Sequence, residues 1–243
     1  LEPMRPRLLN LYEAGMVDGS VKNKLMAWFG GTLQDWDISR DAPFFGFAIP
    51  DLTDKYFYNW FDAPIGYLAS LGNKLELSAG ETLAWWNQED VEVYHFIGKA
   101  IMYFHALFWP AQLMGAGLRP PTKLAIHGFL TVNGQKMSKS KGTFVQASTY
   151  ARHLDPQWLR YYYATKLVPQ PEDLDLSFDD FVARVNSELV GKLANLLSRA
   201  APILTRQLEG KLGVVAMNAV GLLNELRAAD EPMAADYENR NFA

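Results

Sequence analysis

The segment Lys136-Met-Ser-Lys-Ser-Lys-Gly142 places three lysines within seven residues. It directly follows a β-branched, apolar run (Leu124 to Val132) and an Asn133-Gly134 turn, the pattern of a strand running into a loop. Lys136 and Lys139 stand three apart, so both ammonium groups can reach one phosphate chain. Lysine meets a changing phosphate geometry as a mobile point charge. Phosphoryl and nucleotidyl transfer depend on positioning and charge neutralisation more than on a protein nucleophile, so a pair of this kind could carry them. A merely flexible lysine-serine loop is the other reading of this composition. His127 lies nine positions before Lys136, within reach of the same phosphates.

Other chemistries are narrowed by what the chain lacks. It has no cysteine, and its histidines (His95, His105, His127, His153) do not show zinc-ligand spacing. Any metal would therefore be held by oxygen. Net charge is -4, which argues against a polyanionic partner until the distribution is examined. Arg119 to Lys166 holds eight basic residues and one acid, Asp155, whereas Glu172 to Asp180 holds five acids and no base. A basic surface beside an acidic segment can bind a polyanion; a solvated basic face is the alternative. No window approaches the run of about 20 apolar residues that a membrane span needs. The first residues lack the apolar core of a secretory signal, so the expected compartment is the cytoplasm.

The elements that must position these groups alternate in type. Lys55 to Phe61 reads as an aromatic strand, closed by Asp62-Ala63-Pro64 and followed by a helix from Ile65 to Leu71. Val91 to Ile97 reads as a second strand, followed by Gly98 and an apolar helix from Lys99 to Met114 that Pro110 should kink. Leu124 to Val132 is the third strand. Strands alternating with buried helices predict an α/β fold with a parallel sheet, and ligands in such sheets sit at the carboxyl ends of the strands. Ser148 to Tyr163 and Asp179 to Leu208 read as helices, the second with apolar residues at helical spacing. Val214 to Ala229 is a further helical stretch, ended by Asp230-Glu231-Pro232.

Lys136-Met-Ser-Lys-Ser140 resembles the signature loop of class I aminoacyl-tRNA synthetases. Trp36-Asp-Ile-Ser-Arg-Asp-Ala-Pro43, Trp60-Phe-Asp-Ala-Pro-Ile-Gly-Tyr67, Tyr94-His-Phe-Ile-Gly-Lys99, Phe104-His105 and His127 to Ser140 narrow the resemblance to the bacterial type of methionyl-tRNA synthetase. It runs from about Leu25 to Arg199, with five separated motifs in family order. The implied fold is the second half of a Rossmann-type parallel sheet, then a stem-contact region, then an α-helical anticodon-binding bundle. The implied division is 1–42 as the end of a connective insertion, 43–132 as the second catalytic half, 133–178 as the lysine loop and stem-contact region, and 179–243 as the start of the anticodon domain.

The resemblance also implies roles. Trp60, Ala63, Pro64, Tyr67, Ile101 and His105 would line a methionine pocket, where polarizable aromatic walls and a polar group near the sulfur suit a thioether. Gly98, His127, Lys136 and Lys139 would bind ATP. Lys136, Lys139 and Arg40 would act in catalysis, with a structural ion pair of Arg40 with Asp37 or Asp41 as the alternative reading of that residue. Asn195 and Arg199, at i,i+4 spacing, would read the anticodon. Substrates would be L-methionine, ATP with Mg2+, and tRNA(Met), in an ATP-dependent ligase reaction.

Three features depart from the family pattern. Ala100 stands where an aspartate contacts the ATP ribose. The His-x-Gly-His type motif of the first catalytic half has no counterpart, nor does the zinc knuckle. The base-stacking tryptophan of the anticodon domain is missing as well. The expectation is a piece of the enzyme, inactive by itself. A non-catalytic tRNA-binding fragment or synthetase-like accessory protein, or a synthetase for another apolar amino acid, are the alternatives.

The lysine loop yields a first prediction. In the intact enzyme Lys139→Ala should slow adenylate formation far more than it weakens amino-acid binding, because the charge meets the α-phosphate mainly in the transition state. The barrier should rise by roughly 3 kcal/mol. Pyrophosphate exchange at the parental rate would contradict the assignment.

Overall fold

The computed structural model describes residues 1–138 and 142–242, which fall into two compact units divided between His127 and Gly128. Among the described residues no helix is long and apolar enough to cross a membrane.

The first unit opens with α1 (Arg5–Glu13) and α2 (Gly19–Met26), continues through β1 (Ser39–Asp41), β2 (Lys55–Phe57), α3 (Asn59–Asp62), α4 (Ile65–Leu75) and α5 (Ala79–Trp86), and reaches β3 (Tyr94–Gly98). A crossover helix then leads through α6 (Trp109–Gly115) to β4 (Lys123–His127). β3 and β4 pair in parallel, from Tyr94 opposite Lys123 to Gly98 opposite His127. The parallel βαβ unit expected for these two strands is therefore present. Its core joins Ile97, Leu107, Leu124 and Ile126 to Leu8, Tyr12 and Leu25 of the first two helices, all buried.

The aromatic segment departs from expectation. Only Lys55–Phe57 is extended, and β2 pairs antiparallel with β1 instead of entering the parallel sheet. Local chain occupies both of its edges. Tyr58 donates its N–H to Ile38 O at 2.7 Å, while Phe57 donates to Phe47 O at 2.8 Å and Tyr56 bridges Ala48. No edge is left for β3.

The crossover helix meets Pro110 by changing pitch. A 3-10 turn (Lys99–Ile101) and a π turn (Phe104–Phe108) precede α6. Proline has no N–H to offer the carbonyl four residues back, that of Ala106. The Tyr12 hydroxyl donates to this carbonyl at 2.8 Å, from 94 positions away in sequence. Burial pushes the Tyr12 phenol pKa up, so it remains a donor.

The run from Leu124 to Val132 is not one strand. It divides into β4 and β5 (Leu130–Val132), and Gly128 lies at the break. In the second unit β5 is flanked by β6 (Gln135–Lys136), antiparallel, and by β7 (Leu174–Leu176), parallel. Between them the expected helix from Ser148 to Tyr163 is interrupted. Asp155 caps a new helix by accepting from Gln157 N at 2.9 Å, and Pro156 enters its first turn, giving α7 (Ala147–His153) and α8 (Pro156–Ala164). Tyr162 is fully buried against Val132, Leu176 and Phe181.

Beyond β7 the chain is helical: α9 (Phe178–Arg184), a π stretch (Val185–Ala194), α10 (Asn195–Pro202), then α11 (Met217–Ala228) and α12 (Asp230–Glu238). Asp230-Glu231-Pro232 thus begins a helix as well as ending one. Val185 is buried, but Val182, Leu193, Leu196 and Leu197 of the apolar stripe are exposed.

Gly128 provides a stability prediction. A Cβ built there would lie 2.0 Å from Glu172 O, whereas at Gly98 the nearest atom is a His127 ring carbon at 3.6 Å, an ordinary contact. Gly128→Ala should destabilise its unit by about 1–3 kcal/mol or prevent its folding. Gly98→Ala should stay within about 0.5 kcal/mol of the parent in denaturant unfolding.

Candidate active site

Two of the expected nucleotide-binding residues, distant in sequence, meet at the carboxyl ends of the parallel strands. Gly98 and His127 are register partners. The carboxyl ends of parallel strands are where ligands of α/β sheets bind, and this pair stands there. Gly98 has φ -77° and ψ 151°, extended backbone open to any residue, so neither conformation nor packing demands glycine. Ala100, exposed two residues on, has a methyl group and no acceptor.

The expected amino-acid pocket residues come from two elements. The turn from α3 to α4 carries Trp60, Ala63, Pro64 and Tyr67, and Tyr67 N donates to Pro64 O at 3.0 Å. The crossover helix carries Ile101 and His105. Trp60 stacks on Phe104 with ring centroids 4.4 Å apart and planes 15° from parallel. Tyr67 and His105 are joined by a hydrogen bond of 2.8 Å. Gln112 Nε2 ties the crossover helix to the α3 backbone by donating to Phe61 O at 2.6 Å.

The direction of the Tyr67–His105 bond follows from its other end. His105 Nδ1 lies 3.0 Å from Ile101 O, and a carbonyl only accepts, so Nδ1 carries the proton. In the neutral ring Nε2 is then an acceptor, and the Tyr67 hydroxyl donates to it. Burial lowers the His105 pKa, which keeps the ring neutral near pH 7. Tyr67 is 39% exposed and His105 only 2%. The wall thus presents an uncharged phenol, backed by an imidazole with both nitrogens engaged.

Three aromatic residues of this region lie outside the expected pocket set. Phe104 stacks on Trp60, as above. Trp109 Nε1 donates to His95 Nε2 at 3.2 Å, so the neutral His95 carries its proton on Nδ1. The strand period could have pointed to His95, because it shares the inward face of β3 with Ile97. Trp109 reads from sequence as an ordinary apolar helix position, and Phe104 only as part of the Phe104-His105 motif.

Arg40 is engaged locally. Its guanidinium donates to Ser39 O at 2.6 Å, lies 3.4 Å from the Asp37 carboxylate and sits 4.0 Å above the Tyr58 ring. The ion pair with Asp37 is therefore present. Lys136 is exposed on β6, in the second unit. Thr143 clasps the base of its loop, with Oγ1 donating to Lys136 O at 3.0 Å and accepting from Ser138 N at 3.0 Å. Lys139 lies outside the described residues.

The basic run is not one free surface. Lys123 pairs with Asp18 at 2.9 Å, Lys166 pairs with Asp180 at 2.6 Å, and Arg119 donates to Gln88 O. Arg152 and Arg160 are exposed. Asn195 and Arg199 both lie on α10, with Asn195 Nδ2 donating to Gly191 O at 3.3 Å. Among the described residues no group of three or more histidine or acidic side chains is placed to hold a metal ion.

A parallel βαβ unit followed in the chain by a lysine-bearing segment fits a class I synthetase. The chain belongs to the family of tRNA synthetases class I (M), whose model matches residues 4–201. It is similar to the solved methionyl-tRNA synthetase of Mycobacterium tuberculosis in complex with methionyl-adenylate, at 30% identity and a TM-score of 0.81. That match covers 98% of this chain and 47% of the other. The free-state form of the Mycobacterium tuberculosis enzyme matches at 27% identity and a TM-score of 0.79, covering 99% of this chain and 47% of the other. The chain thus spans about half the length of these structures.

The buried histidines make stability depend on pH. Burial first, and the neighbouring His105 second, depress the His95 pKa to about 4. Unfolded histidine protonates near pH 6.5, so the unfolded chain takes up a proton that the folded one refuses until about pH 4. Stability is full above pH 6.5 and falls between those values, by about 3 kcal/mol from this group. Denaturant unfolding measured from pH 7 to pH 4 should show the slope, and His95→Phe should flatten it.

Proposed function

We propose that the protein containing this chain is a methionine-tRNA ligase, which activates L-methionine with ATP and transfers it to tRNA(Met). The observation that carries the reading is the Tyr67–His105 pair beside the Trp60–Phe104 stack. It makes an uncharged, polarizable wall with one hydroxyl, suited to a thioether and poorly suited to a charged side chain. Family membership and the likeness to a synthetase solved with methionyl-adenylate support it.

In the proposed reaction the methionine carboxylate attacks the ATP α-phosphate and pyrophosphate leaves. The terminal ribose hydroxyl of the tRNA then attacks the activated carbonyl and AMP leaves. Both nucleophiles belong to substrates, and the protein supplies position and charge. Trp60, Ala63, Pro64, Tyr67, Ile101 and His105 would hold methionine, with Tyr67 as the group in contact and His105 orienting it. Gly98 and His127 would receive the nucleotide at the strand ends. Lys136 and Lys139 would neutralise its phosphates, and Mg2+ would enter with them as part of that substrate. Arg40 would add charge at the same centre.

In the second unit we assign 133–178 to the lysine loop and stem contact and 179–243 to the first anticodon helices, with Asn195 and Arg199 facing bases. Local pairing of Lys123, Lys166 and Arg119 leaves Arg152 and Arg160 as the better candidates for phosphate contact.

The pocket reading is tested by selectivity. Tyr67→Phe and His105→Ala should each reduce discrimination between methionine and norleucine, which share a shape but differ in the sulfur, by about 1 kcal/mol. Competition kinetics with unchanged selectivity in both variants would sink the assignment.

A further inference from the structure

We infer that His95 is a positioning residue of the amino-acid pocket: by accepting the Trp109 indole N–H, it reserves His105 Nε2 for the Tyr67 hydroxyl. The inference rests on the methionine-pocket reading above and adds the group that holds the wall in place from behind.

His95 occupies an inward position of β3 where packing alone calls for an apolar side chain. Its flanking residues on the other face, Tyr94 and Phe96, are exposed, while His95 is 7% exposed and Ile97 5%. An imidazole at such a position loses its hydration, which an aliphatic residue would not. Its acceptor nitrogen is what it supplies in return. Trp109 is 2% exposed, and its indole N–H would be left unpaired without a partner.

The surroundings restrict who can be that partner. Three rings converge on His95: Tyr67 of α4 at 4.6 Å and His105 of the crossover helix at 5.5 Å between centroids, together with Trp109 of α6, whose ring lies 6.2 Å from Tyr67. This cluster holds two aromatic donors that need acceptors, the Tyr67 hydroxyl and the Trp109 indole, and two imidazoles. His105 uses Nδ1–H on Ile101 O, which leaves it one acceptor nitrogen. His95 Nε2 takes the indole at 3.2 Å, and His105 Nε2 takes the phenol at 2.8 Å. Each donor thus has its own ring. Without an acceptor at 95, the indole and the phenol would compete for His105 Nε2, and Tyr67, the exposed member, would lose its fixed direction.

The test compares His95→Phe, which keeps the ring volume and removes the acceptor, with His95→Gln, which restores an acceptor. Both are made in the intact synthetase, in parental and Tyr67→Phe backgrounds. In the parental background His95→Phe should lower selectivity for methionine over norleucine roughly fivefold, through a raised KM with kcat little changed. His95→Gln should recover part of it. In the Tyr67→Phe background His95→Phe should have no further effect on selectivity, because the bond it protects is gone. A purely structural role would instead give losses that add, and additive losses overturn the inference. So does unchanged selectivity in His95→Phe when Tyr67→Phe lowers it, and the pocket reading survives that result. Unchanged selectivity in both Tyr67→Phe and His105→Ala would remove the pocket reading itself. Nitrogen-15 spectra of the parental imidazoles give a check that needs no variant to fold. Both His95 and His105 should be the Nδ1–H tautomer, and an Nε2–H tautomer at His95 would refute the proposal.

Discussion

A helix buried between a sheet and other helices has no water to satisfy its polar groups, and the first unit is organised around that constraint. The crossover from β3 to β4 is such a helix, yet it carries a proline, a histidine, a tryptophan and a glutamine. Each unpaired buried group would cost about 1–3 kcal/mol, a large share of a domain's net stability. Partners therefore converge on it from elsewhere. Tyr12 serves the Ala106 carbonyl, Tyr67 serves His105 Nε2, His95 serves Trp109, and the Phe61 carbonyl serves the Gln112 amide nitrogen, while the buried Gln112 amide oxygen has no partner among the described residues. The partners that satisfy the helix also fix where the pocket wall stands.

The same constraint sets the electrostatics. Burial keeps both imidazoles neutral, and their hydrogen bonds then dictate tautomers: a carbonyl defines the proton position on His105, and an indole defines it on His95. A charged ring at either place would disturb the network and would favour a different side chain in the pocket. On the proposed pocket reading, selectivity for an uncharged, polarizable amino acid and folding stability near neutral pH would draw on one set of contacts.

In the second unit the lysine loop is held at its root. β6 pairs with β5, and the Thr143 hydroxyl joins the chain entering the loop to the chain leaving it. On the proposed reading, such a root would let the loop's lysines meet a phosphate without reorganising the fold beneath them. Tyr162, buried at the centre of the same unit, is engaged by β7 and by the cap of α9, so the sheet that carries the loop and the helices beyond it share one core.

Much of this was legible in the residues alone. The lysine string and the motif around Trp60 and Tyr67 point to the family, because each depends on types and spacings within a short span. The strand, helix and strand of the βαβ unit follow from hydrophobic period for the same reason. Pairings between distant segments were decided only in three dimensions. Local chain claims both edges of β2 and excludes it from the parallel sheet; Gly128 breaks the third strand; Asp155 and Pro156 divide one helix into two. The partnership of Gly98 with His127, the tautomers of the two histidines and the service of Tyr12 to a carbonyl 94 residues away have no local signature. Periodicity reports which side of an element is apolar, but not which donor will face which acceptor. That match depends on register and on long-range closure, whose energy exists only once the chain has folded.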